Sequence, residues 1–174
     1  MANTEMLPVV DDAGNEKGLA PRNVCHDGRS KLLHPVVHLH LLNDKGELFL
    51  QKRAMTKDLL PGKWDSSVGG HINPGEKTED GLRRETGEEL GLKTFDFKFI
   101  KKYIWESPQE KELVYLFTGT SVELPLINKD EIDEGRFWKM EEIRAELTNG
   151  IFTPNFEYEF KMLFNNHCAG EFGS

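Results

Sequence analysis

The chain has 174 residues, of which 37% are hydrophobic and 30% are charged, a composition typical of one folded domain with a hydrophobic core. The formal net charge of -8 argues against a partner that is a nucleic acid polymer, because the phosphate backbone requires a basic surface. The two cysteines make no disulfide framework, and no apolar run reaches the roughly 18 residues of a membrane span, so we expect a cytoplasmic location.

The first half of the chain predicts strands separated by turns. Residues 5–10 predict a short strand, which a turn-rich segment and a polar connection follow. Residues 34–53 predict a β-hairpin, because hydrophobic residues alternate along its first strand and the letters NDKG suit the turn. In this interpretation His38 and His40 lie on an exposed strand face. A loop rich in Pro and Gly comes next, with a short strand near 67–69.

The second half predicts a helix, more strands and two further helices. The helix covers residues 78–90, with Thr78 as the N-cap and Gly91 at the C-terminal stop. The later strands are expected at residues 95–106, 112–124 and 136–140, and the later helices at 140–147 and 154–164. From the hairpin onward, the order β, β, β, α, β, β, β, α, α predicts a mixed α/β domain.

The carboxylates of the predicted helix are the main functional signal. Glu85, Glu88 and Glu89 are spaced three and four residues apart, so they share one helix face. Arg84 precedes Glu88 by four residues and can hold it in a fixed rotamer. Three carboxylates on one edge make a hard-oxygen site for Mg²⁺ or Mn²⁺. A solvated acidic helix is the alternative, but glycines bracket this segment at spacings that such a helix does not need.

The segment from Gly70 to Leu92 resembles the Nudix box, G-x5-E-x7-R-E-U-x-E-E-x-G-U, where U is a bulky hydrophobic residue. One departure is Thr86, at a U position. The matching residues are Gly70, Glu76, Arg84, Glu85, Glu88, Glu89, Gly91 and Leu92. The resemblance covers about 30–165 and implies a single domain over 1–174, an α/β/α sandwich with a mixed β-sheet, a polar N-terminal extension and a C-terminal tail.

The resemblance implies a metal-dependent hydrolase that cleaves a diphosphate linkage, X–P–P, in a small molecule such as a nucleoside-diphosphate derivative, by attack of water on phosphorus. The implied catalytic residues are Glu76, Arg84, Glu85, Glu88 and Glu89, of which the last three hold Mg²⁺ or Mn²⁺. Glu88 or Glu89 would also accept the proton of the water. Glu131 and Glu134 are alternative bases, although a solvated acidic turn explains them more simply.

The rest of the chain is similar to the branch that contains isopentenyl-diphosphate isomerase. This resemblance places Arg53 and Lys57 at diphosphate-contacting positions, and we count Gly70 among the substrate-binding residues. It also implies a second metal site formed by His26, His34, His71, Glu110 and Glu112. The sequence alone leaves that site open, because it does not show that these side chains meet.

Two alternative functions follow from the same resemblance. The isomerase has a cysteine just before its third histidine, whereas Val68 and Gly69 precede His71 here and Cys25 lies far upstream. A nucleotide-sensing module that does not cut its ligand commonly lacks box glutamates, and this chain keeps them all. A hydrolase is therefore the favoured prediction.

The substrate and the oligomeric state stay open at this stage, with a homodimer as one option. Five aromatic residues are candidates to stack on a base, although each is more often a core residue: Trp64, Tyr103, Trp105, Phe137 and Trp138.

Overall fold

The computed structural model describes residues 4–165, and within that range nine strands and four helices follow one another. The strands are β1 (Met6–Val10), β2 (Glu16–Pro21), β3 (Leu33–Leu42), β4 (Leu48–Arg53), β5 (Trp64–Asp65), β6 (Val68–His71), β7 (Asp96–Glu106), β8 (Lys111–Thr120) and β9 (Ile132–Trp138). The helices are α1 (Arg22–Cys25), α2 (Thr78–Leu90), α3 (Met140–Glu146) and α4 (Pro154–Phe164). The predicted tail, with Cys168, lies outside the described residues.

Seven strands form one mixed sheet, as predicted. Strand β3 pairs in parallel with β8 and antiparallel with β6, while β7 forms the edge beside β8. The predicted hairpin of β3 and β4 is paired only at its tip, where Leu42 opposes Leu48. Beyond that point β4 pairs with β5 and β9 instead. The two strands therefore diverge, and the gap between them is where the polar side chains of the site collect.

Helices cover both faces of this sheet because its strands carry hydrophobic residues on both sides. On one face, Val37 and Leu39 of β3 pack in a cluster with Leu82 and Leu90 of α2. On the other face, Leu48 and Leu50 of β4 belong to a cluster that holds residues of α3 and α4. The arrangement is the predicted α/β/α sandwich. Within residues 4–165, no helix is long and hydrophobic enough to cross a membrane.

Helix α2 has the predicted span but a different start. Thr78 is its first helical residue, not its N-cap; Lys77 occupies that position without a side-chain cap. Acidic residues in the first turn stabilise the helix dipole in place of the cap. At the other end Gly91 adopts the left-handed conformation, with a φ of 64°, and its N–H donates to the carbonyl of Gly87. Thr86, the departure from the box, is buried and donates its hydroxyl to the Leu82 carbonyl at 2.7 Å.

The N-terminal extension is folded. Strand β1 confirms the strand predicted at 5–10, and β2 completes an antiparallel hairpin that the sequence did not predict. The side chains of Leu7 and Cys25 are fully buried in a small cluster below this hairpin. The strand predicted to reach Leu124 ends at Thr120.

Candidate active site

The carboxylates of α2 approach β6 closely because Gly70 has no side chain. A Cβ atom at Gly70 would lie 2.2 Å from the Cδ atom of Glu85, so any larger residue would displace that carboxylate. The side chain of Glu85 is 13% exposed, whereas that of Glu88 is 59% exposed. Glu89 is buried one turn after Glu85. Glu85 and Glu89 therefore form the buried part of this helix face, and Glu88 forms its exposed part.

Arg84 links the carboxylates of the box. Its Nε donates to Glu76 Oε1 at 2.8 Å, its Nη1 to Glu85 Oε1 at 2.7 Å, and its Nη2 to the carbonyl of His71 at 2.9 Å. The predicted contact with Glu88 is longer, at 3.4 Å. Hydrogen bonds from Arg84 hold the pKa of Glu76 below its usual range. Arg84 therefore positions Glu85 and the loop before α2 more than it restrains Glu88.

Replacing Arg84 with lysine should weaken metal activation roughly 10–100-fold, the range found for groups that orient metal ligands. A lysine ammonium is a point charge and cannot hold several acceptors in the fixed geometry of a guanidinium. The measurement is the Mg²⁺ concentration that gives half-maximal hydrolysis. Arg83→Lys is the matched control, because Arg83 stacks over Phe97, 4.7 Å from the ring centre, and does not bond to the box carboxylates. Equal Mg²⁺ requirements in the two variants would remove this role from Arg84.

Glu89 is held at the gap between β3 and β4. Gln51 of β4 donates to Glu89 Oε2 at 2.7 Å, and the Gly69 amide lies 3.4 Å from the same oxygen. Burial and the neighbouring Glu85 charge raise the pKa of Glu89 to about 8. Burial likewise raises the pKa of Glu85 to about 6. A divalent cation at this face would compete with protons, so cation binding would release them. Gln51 carries no motif in the sequence, and its contact with Glu89 depends on the divergence of β4 from β3.

Arg53 and Lys57 reach the same opening from β4 and the loop after it. Arg53 Nη1 lies 3.3 Å from Asp65 Oδ2, and Lys57 forms an ion pair with Glu131. Glu131 lies beside the cationic pair at the site, although its side chain is 47% exposed. Glu134, the other alternative base, lies on β9 opposite Lys52 and outside the site. The structure thus brings the predicted phosphate-binding cations to the box glutamates.

The histidines and glutamates of the implied second metal site also meet. The ring centres of His26, His34 and His71 are 5.2 to 5.4 Å apart. Glu110 Oε2 lies 3.0 Å from His26 Nε2 and 3.7 Å from His34 Nε2. Nitrogen atoms of the three histidines lie within 4.8 Å of one another, and so do atoms of His34, Glu110 and Glu112.

The protonation states and hydrogen bonds of these histidines and glutamates bear on whether they could bind a metal ion. Among residues 4–165, the buried Nε2 atoms of His26 and His34 have no hydrogen-bond partner of proper geometry, although both face Glu110 Oε2. Burial lowers the pKa of His26 to about 4, which keeps the ring neutral at physiological pH. Burial and the charge of Glu110 raise the pKa of Glu112 to about 7. Burial lowers the pKa of His34 as well, but contacts with Glu110 and the Leu32 carbonyl outweigh burial and raise it. Imidazole and carboxylate groups together are a donor set that suits a divalent metal, whose binding would displace such protons.

The prediction that His38 and His40 lie on an exposed face is wrong. Both are buried, because α4 covers this side of β3 and inserts Glu159 between them. Glu159 Oε1 lies 2.7 Å from His38 Nδ1, and Glu159 Oε2 lies 2.7 Å from His40 Nε2. The Tyr103 hydroxyl donates to Glu159 Oε1 at 2.5 Å. Burial lowers the pKa of His38, but the Glu159 carboxylate outweighs burial and raises it to about 9. We call His38, His40, Tyr103 and Glu159 the Glu159 cluster.

One cavity of about 660 Å³, which we call the central cavity, is lined by residues from the box, from the cationic pair, from the histidine and glutamate set and from the Glu159 cluster. The site residues that line it include Arg53, Lys57, Gly70, Glu85, Glu88, Glu89, His26, His71, Glu110, Glu112 and His38. Of the five candidate stacking residues, Trp105 lines this cavity in the described part of the chain. Trp64 and Trp138 pack in the core instead, with ring centres 5.0 Å apart. Phe137 packs against Phe49, and Tyr103 belongs to the Glu159 cluster.

Known proteins are similar to this chain in sequence and in fold. The NUDIX domain family matches residues 32–156. The chain is 32% identical over 162 residues to isopentenyl-diphosphate Delta-isomerase 2 of Photorhabdus laumondii, a match that covers 88% of this chain and 89% of that protein. It is 33% identical over 126 residues to an uncharacterised Nudix hydrolase of Listeria monocytogenes, with 71% and 74% covered. It spans only 52% of an isopentenyl-diphosphate Delta-isomerase of Corynebacterium glutamicum.

Two solved structures have the same fold. DR0079 from Deinococcus radiodurans superposes with a TM-score of 0.78 at 23% identity, over 92% of this chain and 99% of that one. The MutT protein of Methanosarcina mazei superposes with a TM-score of 0.67 at 25% identity, over 79% and 96% of the two chains. The chain therefore belongs to the NUDIX domain family, in the branch whose relatives are named isopentenyl-diphosphate isomerases and Nudix hydrolases.

Proposed function

We propose that this protein is a metal-dependent hydrolase that cleaves the diphosphate linkage of a small molecule X–P–P, where X is the group attached to the diphosphate. One observation supports this most: Glu85, Glu88 and Glu89 face the central cavity together with Arg53 and Lys57. A site for a metal-bound diphosphate needs carboxylates that hold the metal ion and positively charged side chains that bind phosphate oxygens.

The residues of the chain have separate tasks in this mechanism. Arg53 and Lys57 would bind phosphate oxygens, in exchange for their present partners Asp65 and Glu131. When bound at the three glutamates, Mg²⁺ or Mn²⁺ supplies charge neutralisation and a more acidic water. Water forms a new P–O bond as the bridging P–O bond breaks, and Glu88 or Glu89 accepts the proton of the water.

A panel of diphosphates tests the proposal. We expect Mg²⁺-dependent cleavage of at least one among ADP-ribose, NADH, UDP-glucose, ADP and isopentenyl diphosphate, followed as released phosphate or nucleotide. A chelator should stop the reaction, and excess Mg²⁺ or Mn²⁺ should restore it, because the box carboxylates need a cation to hold a polyanion. Binding without cleavage of any panel member in Mg²⁺ or Mn²⁺ would favour a sensing module instead.

An isopentenyl-diphosphate isomerase-like enzyme is the second candidate, because the three histidines, Glu110 and Glu112 come together beside the central cavity. All of them except the fully buried His34 line that cavity. We propose that this set holds a second divalent cation. The position before His71 weighs against the isomerase. Val68 packs into the core beside α2, and Gly69, which lines the cavity, has no side chain to transfer a proton. Incubation of isopentenyl diphosphate in D₂O, followed by NMR, distinguishes the two: deuterium incorporation would indicate the isomerase. The cytoplasmic location and the homodimer stay predictions.

A further inference from the structure

His38 presents its imidazole to the central cavity because of its neighbour on β6. His38 pairs directly with Gly69, so the two residues face the same side of the sheet. A Cβ atom at Gly69 would lie 3.6 Å from His38 Cδ2 and 3.7 Å from His38 Nε2. Glycine leaves that edge of the ring uncovered, and His38 accordingly lines the cavity although it is only 9% exposed.

The Glu159 cluster fixes the orientation of this ring. His38 uses Nδ1 to bond with Glu159, so Nε2 is the nitrogen that remains for a ligand. Glu159 cannot turn away, because His40 and Tyr103 bond to the same carboxylate. A buried carboxylate with three partners is a rigid support, and a supported imidazole is positioned before any ligand arrives.

His38 lies beside the proposed diphosphate site and not within it. Gly69 neighbours both: its amide lies 3.4 Å from Glu89 Oε2, and a Cβ atom built on it would lie 3.6 Å from His38 Cδ2. Trp105 and Asn155, which lies at the start of α4, line the same cavity as His38. A diphosphate held by the box and by Arg53 would therefore direct its X group along the wall that carries His38.

The chemistry of that wall discriminates between kinds of X group. A hydrocarbon chain would strip water from His38 Nε2 and offer no hydrogen bond in return, which is costly for a buried polar group. An X group with hydroxyl, carbonyl or ring-nitrogen atoms would replace the lost water. Sites built to hydrogen-bond a substrate group reject analogues that lack it far more strongly than hydrophobic pockets reject an added polar group.

We propose that His38, oriented by Glu159, is a specificity-determining residue that selects diphosphates with a polar, hydrogen-bonding X group over diphosphates of a hydrocarbon. The proposal rests on the proposed function, since it assumes that a diphosphate occupies the box. It assigns the substrate to the class that includes nucleoside-diphosphate sugars and excludes prenyl diphosphates.

A matched pair of variants tests this inference. His38→Asn keeps a donor where Nδ1 was, so the bond to Glu159 survives, but it removes Nε2 from the cavity. His40→Gln keeps a donor where Nε2 was, and His40 does not line the cavity, so it perturbs the same carboxylate without touching the ligand. The readout is the ratio of kcat/KM for ADP-ribose to that for isopentenyl diphosphate. The same ratio is measured as dissociation constants, by calorimetry in Mg²⁺ with α,β-methylene ADP-ribose and isopentenyl diphosphate.

We expect the wild type to prefer the ADP-ribose compounds. His38→Asn should lower that preference about 10–100-fold, because the loss of one hydrogen bond to a charged group has an effect of this size. The change should appear mainly in KM. His40→Gln should stay within about twofold, because it removes no ligand contact. Gly69→Ala is a second test that does not depend on the stability of His38→Asn. Its methyl group would cover the ring at ordinary contact distance and should lower the preference in the same direction.

Several results would overturn the inference. One is an unchanged preference in both His38→Asn and Gly69→Ala, and another is a loss of preference in His40→Gln equal to that in His38→Asn. A third is a wild type that binds isopentenyl diphosphate and the ADP-ribose analogue with equal affinity, or that binds neither. The binding ratio decides the inference even where no diphosphate is cleaved. Absence of cleavage with a preference for the polar probe would overturn the hydrolase proposal alone.

Discussion

Glu88→Gln is expected to lower kcat about 10–100-fold or more in saturating substrate and Mg²⁺. Losses of about 10–100-fold are typical when a residue that only orients a metal ligand is replaced, and Glu88 would be a ligand itself. Glutamine keeps the shape of the side chain, but a neutral amide does not replace a carboxylate charge at a divalent cation. The side chain of Glu88 is 59% exposed and its only close partner is Arg84, at 3.4 Å, among the residues described. The melting temperature should therefore stay close to that of the wild type.

The control for this variant is Glu79→Gln, the same substitution on the same helix. Glu79 is exposed and lies in the first turn of α2, away from the central cavity. It should retain wild-type turnover. A loss below about tenfold in Glu88→Gln, or an equal loss in Glu79→Gln, would show that Glu88 does not hold a catalytic cation, because metal-site substitutions exceed that range.

The box and its helix could be predicted because their geometry is local. Spacings of three and four residues place Glu85, Glu88 and Glu89 on one helix face wherever the helix packs. Gly91 ends the helix through its own backbone conformation. The start was predicted less well: threonine is a preferred N-cap residue and lysine is not, yet the helix begins at Thr78 with Lys77 in the N-cap position and no side-chain cap.

The Glu159 cluster could not be predicted, because its bonds join residues 119 and 121 positions apart. Alternation along β3 shows that His34, His38 and His40 share one face, but not whether a helix covers that face. A clue was present in α4, where Glu159 falls between Phe156 and Phe160 on the hydrophobic side of an amphipathic helix. A carboxylate in such a position requires buried partners. The divergence of β3 and β4 is equally non-local, since it depends on pairing with β9.

Glu159→Leu is expected to lower the free energy of unfolding by about 3–5 kcal/mol near pH 6, the cost of removing one partner from a buried ionic pair. The leucine would leave His38 and His40 without their carboxylate partner in the interior, whereas the Tyr103 hydroxyl would keep Asn155 Oδ1 as an acceptor at 2.7 Å. Glu157→Leu is the control on the same helix. Its carboxylate pairs with Lys161 at 3.7 Å and accepts a hydrogen bond from the Thr148 amide at 3.0 Å, so we expect a smaller loss of about 1–2 kcal/mol. Urea denaturation measures both.

The pH dependence of that difference separates an ionic cluster from simple loss of packing. The folded protein raises the pKa of His38 from 6.5 to about 9, so this stabilisation is complete below pH 6.5 and is lost as the pH rises through 9. Burial alone would raise the pKa of Glu159, but His38 and His40 outweigh it and hold the pKa below its usual 4.5, so this stabilisation is lost as the pH falls below 4.5. The difference between wild type and Glu159→Leu should therefore be largest between pH 4.5 and 6.5. A difference that stays constant up to about pH 9 would mean that Glu159 acts through volume and not through charge.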